Sequence, residues 1–296
     1  MLEREGHTEA AVDLCRLAGI NPPVGVLAEI LKPDGKIARL PYLKSFARTH
    51  NLTRISMAEL ADYRKCREML IERKAKARLS TEYGKFTIYS YQEIITGKEH
   101  IALTLGKISS NAPVLTRVHS RCLTGDVFHS LRCDCGLQLK KAFQLIAARG
   151  SGVIVYLNQE GRDIGLTDKI KSYTLQDNGY DTVEANIALG YKPDMRAYHI
   201  GTQILRDLGV LKMELLTNNP GKIAGLEHYG LEIVRRVPLQ TELTPENKKY
   251  LSVKSSMVSI YPIPFIDSGL MRTGGIMGMK TSFVKISKAK FTRANS

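Results

Sequence analysis

A layered α/β fold is predicted from three features of this 296-residue sequence. From about residue 81, β-branched and aromatic runs alternate with stretches of helical apolar spacing, the pattern of a sheet covered by helices. Several helical stretches stop near a glycine, which ends a helix by adopting a left-handed conformation. The composition, 43% hydrophobic and 24% charged, is ordinary for a globular chain.

Residues 1–64 are expected to form a small α/β piece. His7 to Leu17 has helical apolar spacing, GVLAEIL (25–31) is expected as a strand, and Pro33-Asp34-Gly35 carries turn chemistry. Helices are expected over Leu40–His50 and Met57–Arg64, with LTRIS between them as a short strand. The basic run 65–80, KCREMLIERKAKARLS, is expected to continue the second helix and then act as a linker.

The main domain is expected over 81–245. FTIYSYQ, IALTLGKI and VLTRVHSRC are three expected strands in sequence, and LQLKKAFQLIAARG (137–150) is an amphipathic helix stopped by Gly150. GVIVYL (152–157) is a short buried strand leading into the polar loop NQEGRDIGL. Helices follow around 166–177, 183–190 and 200–209, then strands KMELLT (212–217) and LEIVRRVPL (231–239). Beyond about 245 the periodicity fades. Residues 246–296, with nine Lys/Arg against two Asp/Glu, are expected to be a basic, weakly structured tail.

The net charge is +14, from 43 basic and 29 acidic residues. Such a balance suits nucleic acid, an acidic surface or a polyphosphate ligand. Neither dense basic patch interleaves aromatics as a single-strand platform does, so no nucleic-acid partner is expected. No run approaches the ~18–20 apolar residues of a membrane span, and MLEREGHTEAAV lacks the apolar core of a signal peptide. A cytoplasmic, reducing location is therefore expected, with a plastid open for a plastid-bearing source.

The chemistry concentrates first in RVHSRCLTGDVFHSLRCDCG. Cys122, Cys133 and Cys135 fall within fourteen residues and are three of only five cysteines. Three thiolates bind Zn²⁺ at about 2.3 Å and leave a fourth position for water, whose pKa then drops to roughly 7. The alternatives are reduced buried thiols, or a disulfide with one cysteine over. Next comes QEGR after strand GVIVYL, at the strand end where open α/β sheets bind ligands; Glu160 and Arg162 flank Gly161 there, a carboxylate for a base edge and a guanidinium for phosphate. Asp194 and Arg196, two residues apart, share a face if extended, or form a plain surface ion pair. TNNPGK, Thr217 to Lys222, is a phosphate cradle or a simple turn.

Five segments occur in one order: RVHS-x-C-x-TGD-x-F-x-S-x-RCDCG, QEGR-x-IGL, LQD-x-G-x-DTVEAN, IG-x-QIL-x-DLG and TNNP-x-K-x-x-GL-x-x-YGL. Together they closely resemble GTP cyclohydrolase II, over about residues 80–250. The resemblance implies a three-layer α/β/α domain, usually homodimeric. It implies one Zn²⁺ per subunit on Cys122, Cys133 and Cys135, and Mg²⁺ on the triphosphate of GTP. The implied reaction releases formate from C8 and pyrophosphate from the triphosphate, with metal-activated water attacking C8. It leaves 2,5-diamino-6-(5-phospho-ribosylamino)pyrimidin-4-one, the first committed step of riboflavin synthesis. Arg196 is the implied nucleophile at the α-phosphorus, Asp194 its proton acceptor, and Tyr173 stands near the attacked carbon. Implied GTP contacts are Arg117, Val118, His119, Ser120, Arg121, Gln138, Glu160, Gly161, Arg162, Thr182, Thr217 and Lys222.

Two segments depart from the family. RVHSEC is here RVHSRC, which reverses charge at Arg121, and RQEGRGIGL is here NQEGRDIGL, with Asn158 and Asp163 replacing Arg and Gly. Asp163 tolerates a left-handed backbone better than most residues but adds negative charge near a triphosphate. These changes keep open a catalytically impaired GTP-binding paralogue. A cyclohydrolase that retains the formyl group is the other alternative, and Tyr173 argues against it. The segment REGHTEAAVDL…GVLAEI…DGKIARLP resembles the C-terminal end of 3,4-dihydroxy-2-butanone 4-phosphate synthase, often fused ahead of the cyclohydrolase. That resemblance implies metal binding by His7, sugar-phosphate contacts from Arg4 and Thr8, and a catalytic carboxylate at Glu29. About sixty residues are too few to bury a full core, so no synthase activity is expected.

Overall fold

The computed structural model describes residues 1–192 and 194–239; the expected tail at 246–296 lies outside them. The described chain forms two compact units, residues 1–67 and residues 68 onward.

The first unit contains α1 (His7–Leu17), α2 (Leu40–Thr49) and α3 (Met57–Arg67). Its buried cluster is small: Met1, Ala10 and Leu60, with Met57 against them. Arg64 Nη1 donates to the buried Asp13 Oδ2 at 2.6 Å and ties α3 to α1. Ser56 and Glu59 cap α3 reciprocally: Ser56 N–H donates to Glu59 Oε2 (2.6 Å) and Glu59 N–H to Ser56 Oγ (3.2 Å). The two strands expected here do not form. Over 25–31 the only pairing is the single bridge Leu31↔Ile37, and Val26 is 97% exposed. LTRIS is irregular up to the cap of α3.

The second unit is built on a seven-stranded mixed sheet. Its elements are β1 (Ile71–Thr81), β2 (Gly84–Glu93), β3 (Glu99–Leu105), β4 (Val114–Ser120), α4 (Leu123–Asp126), α5 (Cys135–Arg149), β5 (Gly152–Leu157), α6 (Glu160–Asp163), α7 (Leu166–Asp177), α8 (Thr182–Ala188), α9 (Tyr198–Asp207), β6 (Lys212–Leu216), α10 (Pro220–His228) and β7 (Glu232–Val237). The strand order is β1-β2-β3-β5-β4-β6-β7. The first three strands form an antiparallel meander that joins β5, and β5, β4, β6 and β7 run parallel.

The expected linker at 65–80 is therefore corrected. Its first residues end α3, and from Ile71 it is an edge strand paired with β2 out to Thr81↔Gly84. Lys, Arg and Ala favour helices in isolation, but ladder pairing decides here, and one open edge lets the charges stay in water. Leu79 packs on the central core.

Helices cover both faces of the sheet. On one, Ala142 and Ile146 of α5 join Phe86, Leu103, Leu115, Ile154 and Leu216 in the main cluster. On the other lies α9, where a Cβ on Gly201 would sit 3.4 Å from Leu157 Cδ1 and 3.5 Å from Val118 Cγ1. α10 packs beside it, and Gly225 leaves no room for a Cβ against the Tyr198 ring. Thus β4 leads to a helix on one face and β6 to a helix on the other. Ligand crevices form at such a switch point, beyond the carboxyl ends of the strands.

Candidate metal centre and nucleotide cleft

At that crevice the chain leaves β4 through Arg121 and Cys122, turns in α4, and returns with Cys133 and Cys135 as α5 begins. The three sulfurs lie within 4.8 Å of one another, with Cys122 and Cys133 Sγ 3.6 Å apart. Gly125 makes the cradle possible. A Cβ there would come 2.9 Å from Cys133 Sγ and 3.2 Å from Cys122 Sγ, and Gly136 has no space for one against the Gly125 carbonyl. Three converging soft donors on a built floor fit Zn²⁺. Hydrogen bonds from Cys133 and Cys135, then the Lys169 charge, hold the Cys122 thiol far below its usual range. Its partners move the other way, Cys133 up to about 11 and Cys135 also upward, chiefly through their bonds to Cys122. One of three crowded thiols ionises readily; a dication stabilises all three as thiolates.

A buried network holds the Cys122 turn. Asp126 accepts from His119 Nε2–H (3.0 Å), the Tyr156 hydroxyl (2.8 Å) and Cys122 N–H (2.9 Å). Arg117 Nη2 faces His119 Nδ1 at 3.3 Å and donates to Gln138 Oε1 at 2.6 Å, while Nη1 donates to the Leu216 carbonyl at 2.9 Å. Burial lowers Arg117 to about 10, and burial outweighs Asp126 to lower His119.

The cleft opens to solvent and takes in about 730 Å³ of space, part of it open solvent. Lys169, Ser172, Tyr173 and Gln176 line it from one face of α7. Arg121, Arg132, Arg162 and Arg196 add four guanidiniums, and among the described residues no carboxylate lines it, although Asp177 and Asp194 pair with Arg132 and Arg196. The loop after β5 is sharply bent: Gly161, Arg162 and Asp163 all have positive φ, 63°, 63° and 73°. Two successive non-glycine residues there mark stored backbone strain, which clusters at functional sites. Met195 N–H donates to the Arg162 carbonyl at 3.2 Å, which brings the Asp194–Arg196 segment against this loop. Arg196 Nε donates to Asp194 Oδ1 at 2.8 Å, and Nη2 pairs with Oδ2. Burial would raise Asp194, but the Arg196 pairing holds it below its ordinary value.

Of the sequence-predicted residues, the cleft gathers the three cysteines, Ser120, Arg121, Gly161, Arg162, Tyr173, Thr182 and Arg196. Arg117, Val118, His119, Gln138, Thr217 and Lys222 are buried behind it. Lys222 Nζ donates to the Val118 carbonyl at 2.8 Å. TNNPGK runs into the capped start of α10, with Asn219 Oδ1 accepting from Gly221 N–H at 2.9 Å. Glu160 also points inward: its oxygens take Leu123 N–H (2.7 Å) and Lys169 Nζ (2.7 Å). In this arrangement they are not presented to a base edge.

The two departures have partners as well. Asp163 pairs with Lys98 Nζ at 2.8 Å, which offsets its charge. Arg121 Nη1 donates to Asn158 Oδ1 at 3.2 Å, so two of the changed positions touch each other. Lys169 and Arg132 were missing from the sequence-based set. The only signal was their place in KIKSY and RCDCG, beside residues already chosen.

Residues 72–238 match the family model for GTP cyclohydrolase II. The chain belongs to the GTP cyclohydrolase II family. Residues 1–63 match the model for 3,4-dihydroxy-2-butanone 4-phosphate synthase. The chain is 58% identical to the riboflavin biosynthesis protein RibBA of Aquifex aeolicus over 86% of its own length and 63% of that protein's. It is 54% identical to the chloroplastic bifunctional riboflavin biosynthesis protein RIBA 1 of Arabidopsis thaliana, over 90% of this chain and 49% of that one. The chain thus spans less than two thirds of the length of these relatives. Among solved structures, the two-domain 3,4-dihydroxy-2-butanone 4-phosphate synthase RibBX of A. baumannii aligns with a TM-score of 0.52 and 32% identity. That alignment covers 80% of this chain and 60% of the other. The mixed α/β architecture agrees with the cyclohydrolase family, and no described helix is long and apolar enough to cross a membrane.

Proposed function

We propose that this chain is a zinc-dependent GTP cyclohydrolase II. It hydrolyses GTP to formate, pyrophosphate and 2,5-diamino-6-(5-phospho-ribosylamino)pyrimidin-4-one, the first step of riboflavin biosynthesis. One observation carries this reading: three convergent thiols share a cleft with four guanidiniums, and no carboxylate is among the described residues that line it. Such a cleft favours a ligand with several negative charges. Cys122, Cys133 and Cys135 hold Zn²⁺, which when bound supplies Lewis-acid activation of water. Mg²⁺ travels with the triphosphate, its usual site in such reactions.

Arg121, Arg162 and Arg196 bind and orient the phosphates. Arg196 is the nucleophile at the α-phosphorus: its nitrogen bonds the phosphorus as the P–O bond to the departing pyrophosphate breaks, and water then cleaves the P–N bond, freeing Arg196 and the 5′-phosphate. A guanidinium keeps its proton in water, so Asp194, bonded to both Nε and Nη2, accepts that proton as attack proceeds. Tyr173, whose hydroxyl is 2.9 Å from Thr124 Oγ1 in the cleft that holds the thiols, is assigned to the attacked carbon C8.

The test is the zinc-loaded protein with GTP and Mg²⁺, following all three products. Formate and pyrophosphate in equal amounts are expected. Pyrophosphate without formate would mean that the formyl group is retained; binding without turnover would mean a silent paralogue. Arg196→Ala is expected to abolish pyrophosphate release while metal analysis still finds one zinc per chain. Unaltered pyrophosphate release would remove Arg196 from the nucleophile's role.

A further inference from the structure

Lys169 is the one ammonium among the cleft-lining residues, and it is 8% exposed. It lies 3.1 Å from Cys122 Sγ, 2.9 Å from Thr124 Oγ1 and 2.7 Å from Glu160 Oε1. An ammonium has three N–H donors, so all three are committed. That leaves no free proton direction for shuttling, and its geometry is that of a fixed cation. The fixing is thorough. Glu160 Oε2 takes the Leu123 N–H, so one carboxylate clamps both the lysine and the residue after Cys122. A Cβ on Gly161 would come within 3.0 Å of Lys169 Cβ, so the bent loop also packs on the lysine stem.

Three thiolates around a dication leave one net negative charge, held in a buried place where charge is costly. An ammonium bonded to one of the sulfurs offsets part of it locally, its own charge being shared with the Glu160 carboxylate. Outer-sphere partners of this kind orient ligands and tune metal affinity.

Resting on the zinc reading above, we propose that Lys169, clamped by Glu160, is a positioning residue of the metal centre that sets its zinc affinity by bonding the Cys122 thiolate. The test uses the full chain and a chromophoric chelator competing for Zn²⁺. Lys169→Met removes the charge and the donors in an unbranched side chain one atom shorter; Lys169→Gln, of that same reach, removes the charge but keeps two N–H donors. Both are expected to weaken zinc binding by about 10–100-fold. With Co²⁺ in place of Zn²⁺, the thiolate-to-metal charge-transfer band is expected to shift in both. Thermal unfolding in chelator separates this from loss of fold, and if Lys169→Met does not fold, Lys169→Gln decides alone. An unchanged zinc affinity with an unshifted cobalt band would reduce Lys169 to a buried ion pair and overturn the proposal. A wild-type protein that takes up no zinc would instead overturn the metal reading itself.

Discussion

Gly125 shows how narrow the tolerance of the thiol cradle is. A methyl group there meets two ligand sulfurs at 2.9 and 3.2 Å, closer than a carbon can approach without pushing them apart. Gly125→Ala is expected to strip the protein of stoichiometric zinc, read by elemental analysis, while the circular dichroism of the sheet is preserved. A full zinc complement in that variant would mean that the cradle deforms freely. At this scale the cysteines were legible because thiols are rare and their crowding has few causes. Lys169 was not, because a lysine in KIKSY looks like any solvated helix residue until folding turns it inward. The direction of Glu160 was not legible for a related reason: sequence places a carboxylate in a loop but does not say which way its side chain turns.

Helices α5, α7 and α9 and the central strands were readable because burial imposes a period on them. Apolar residues recur every three or four positions in α5, and β5 is a continuous buried run. The stop of α5 was equally plain: Gly150 has φ 75°, and a Cβ there would meet nothing within 4 Å. Gly150→Ala therefore isolates backbone strain from packing and is expected to cost about 1–2 kcal/mol in denaturant unfolding. A neutral result would show the cap relaxing to another conformation. β1 was unreadable for the opposite reason. Its buried residues are few, its charges favour helix, and the strand exists because β2 offers a ladder. The reverse error occurred at 25–31, where an apolar run finds only one bridging partner. Strands are decided by what lies beside them, which local sequence does not state.

For the molecule as a whole, the two matched families correspond to two very different amounts of structure. The sheet unit owns a continuous core, whereas the buried cluster of residues 1–67 is only Met1, Ala10 and Leu60. Arg4, His7, Thr8 and Glu29, the residues implied for the synthase, are all exposed. Exposed groups bind a metal or sugar phosphate weakly, because water competes at every donor. Incubated with ribulose 5-phosphate and Mg²⁺, the 296-residue chain is expected to yield no butanone phosphate above a protein-free control. Measurable turnover would mean that these few residues suffice.

The floor beneath the cleft is stitched by two long-range bonds. Arg117 reaches the Leu216 carbonyl 99 residues away, and Lys222 reaches Val118 across 104. Closing spans of that size carries an entropic cost that is recovered only when the distant strand docks. A ribosome-bound chain that has not yet released β6 therefore holds its thiols over an unfinished base. Competence for the metal arrives late in synthesis, as a report that the parallel half of the sheet is complete.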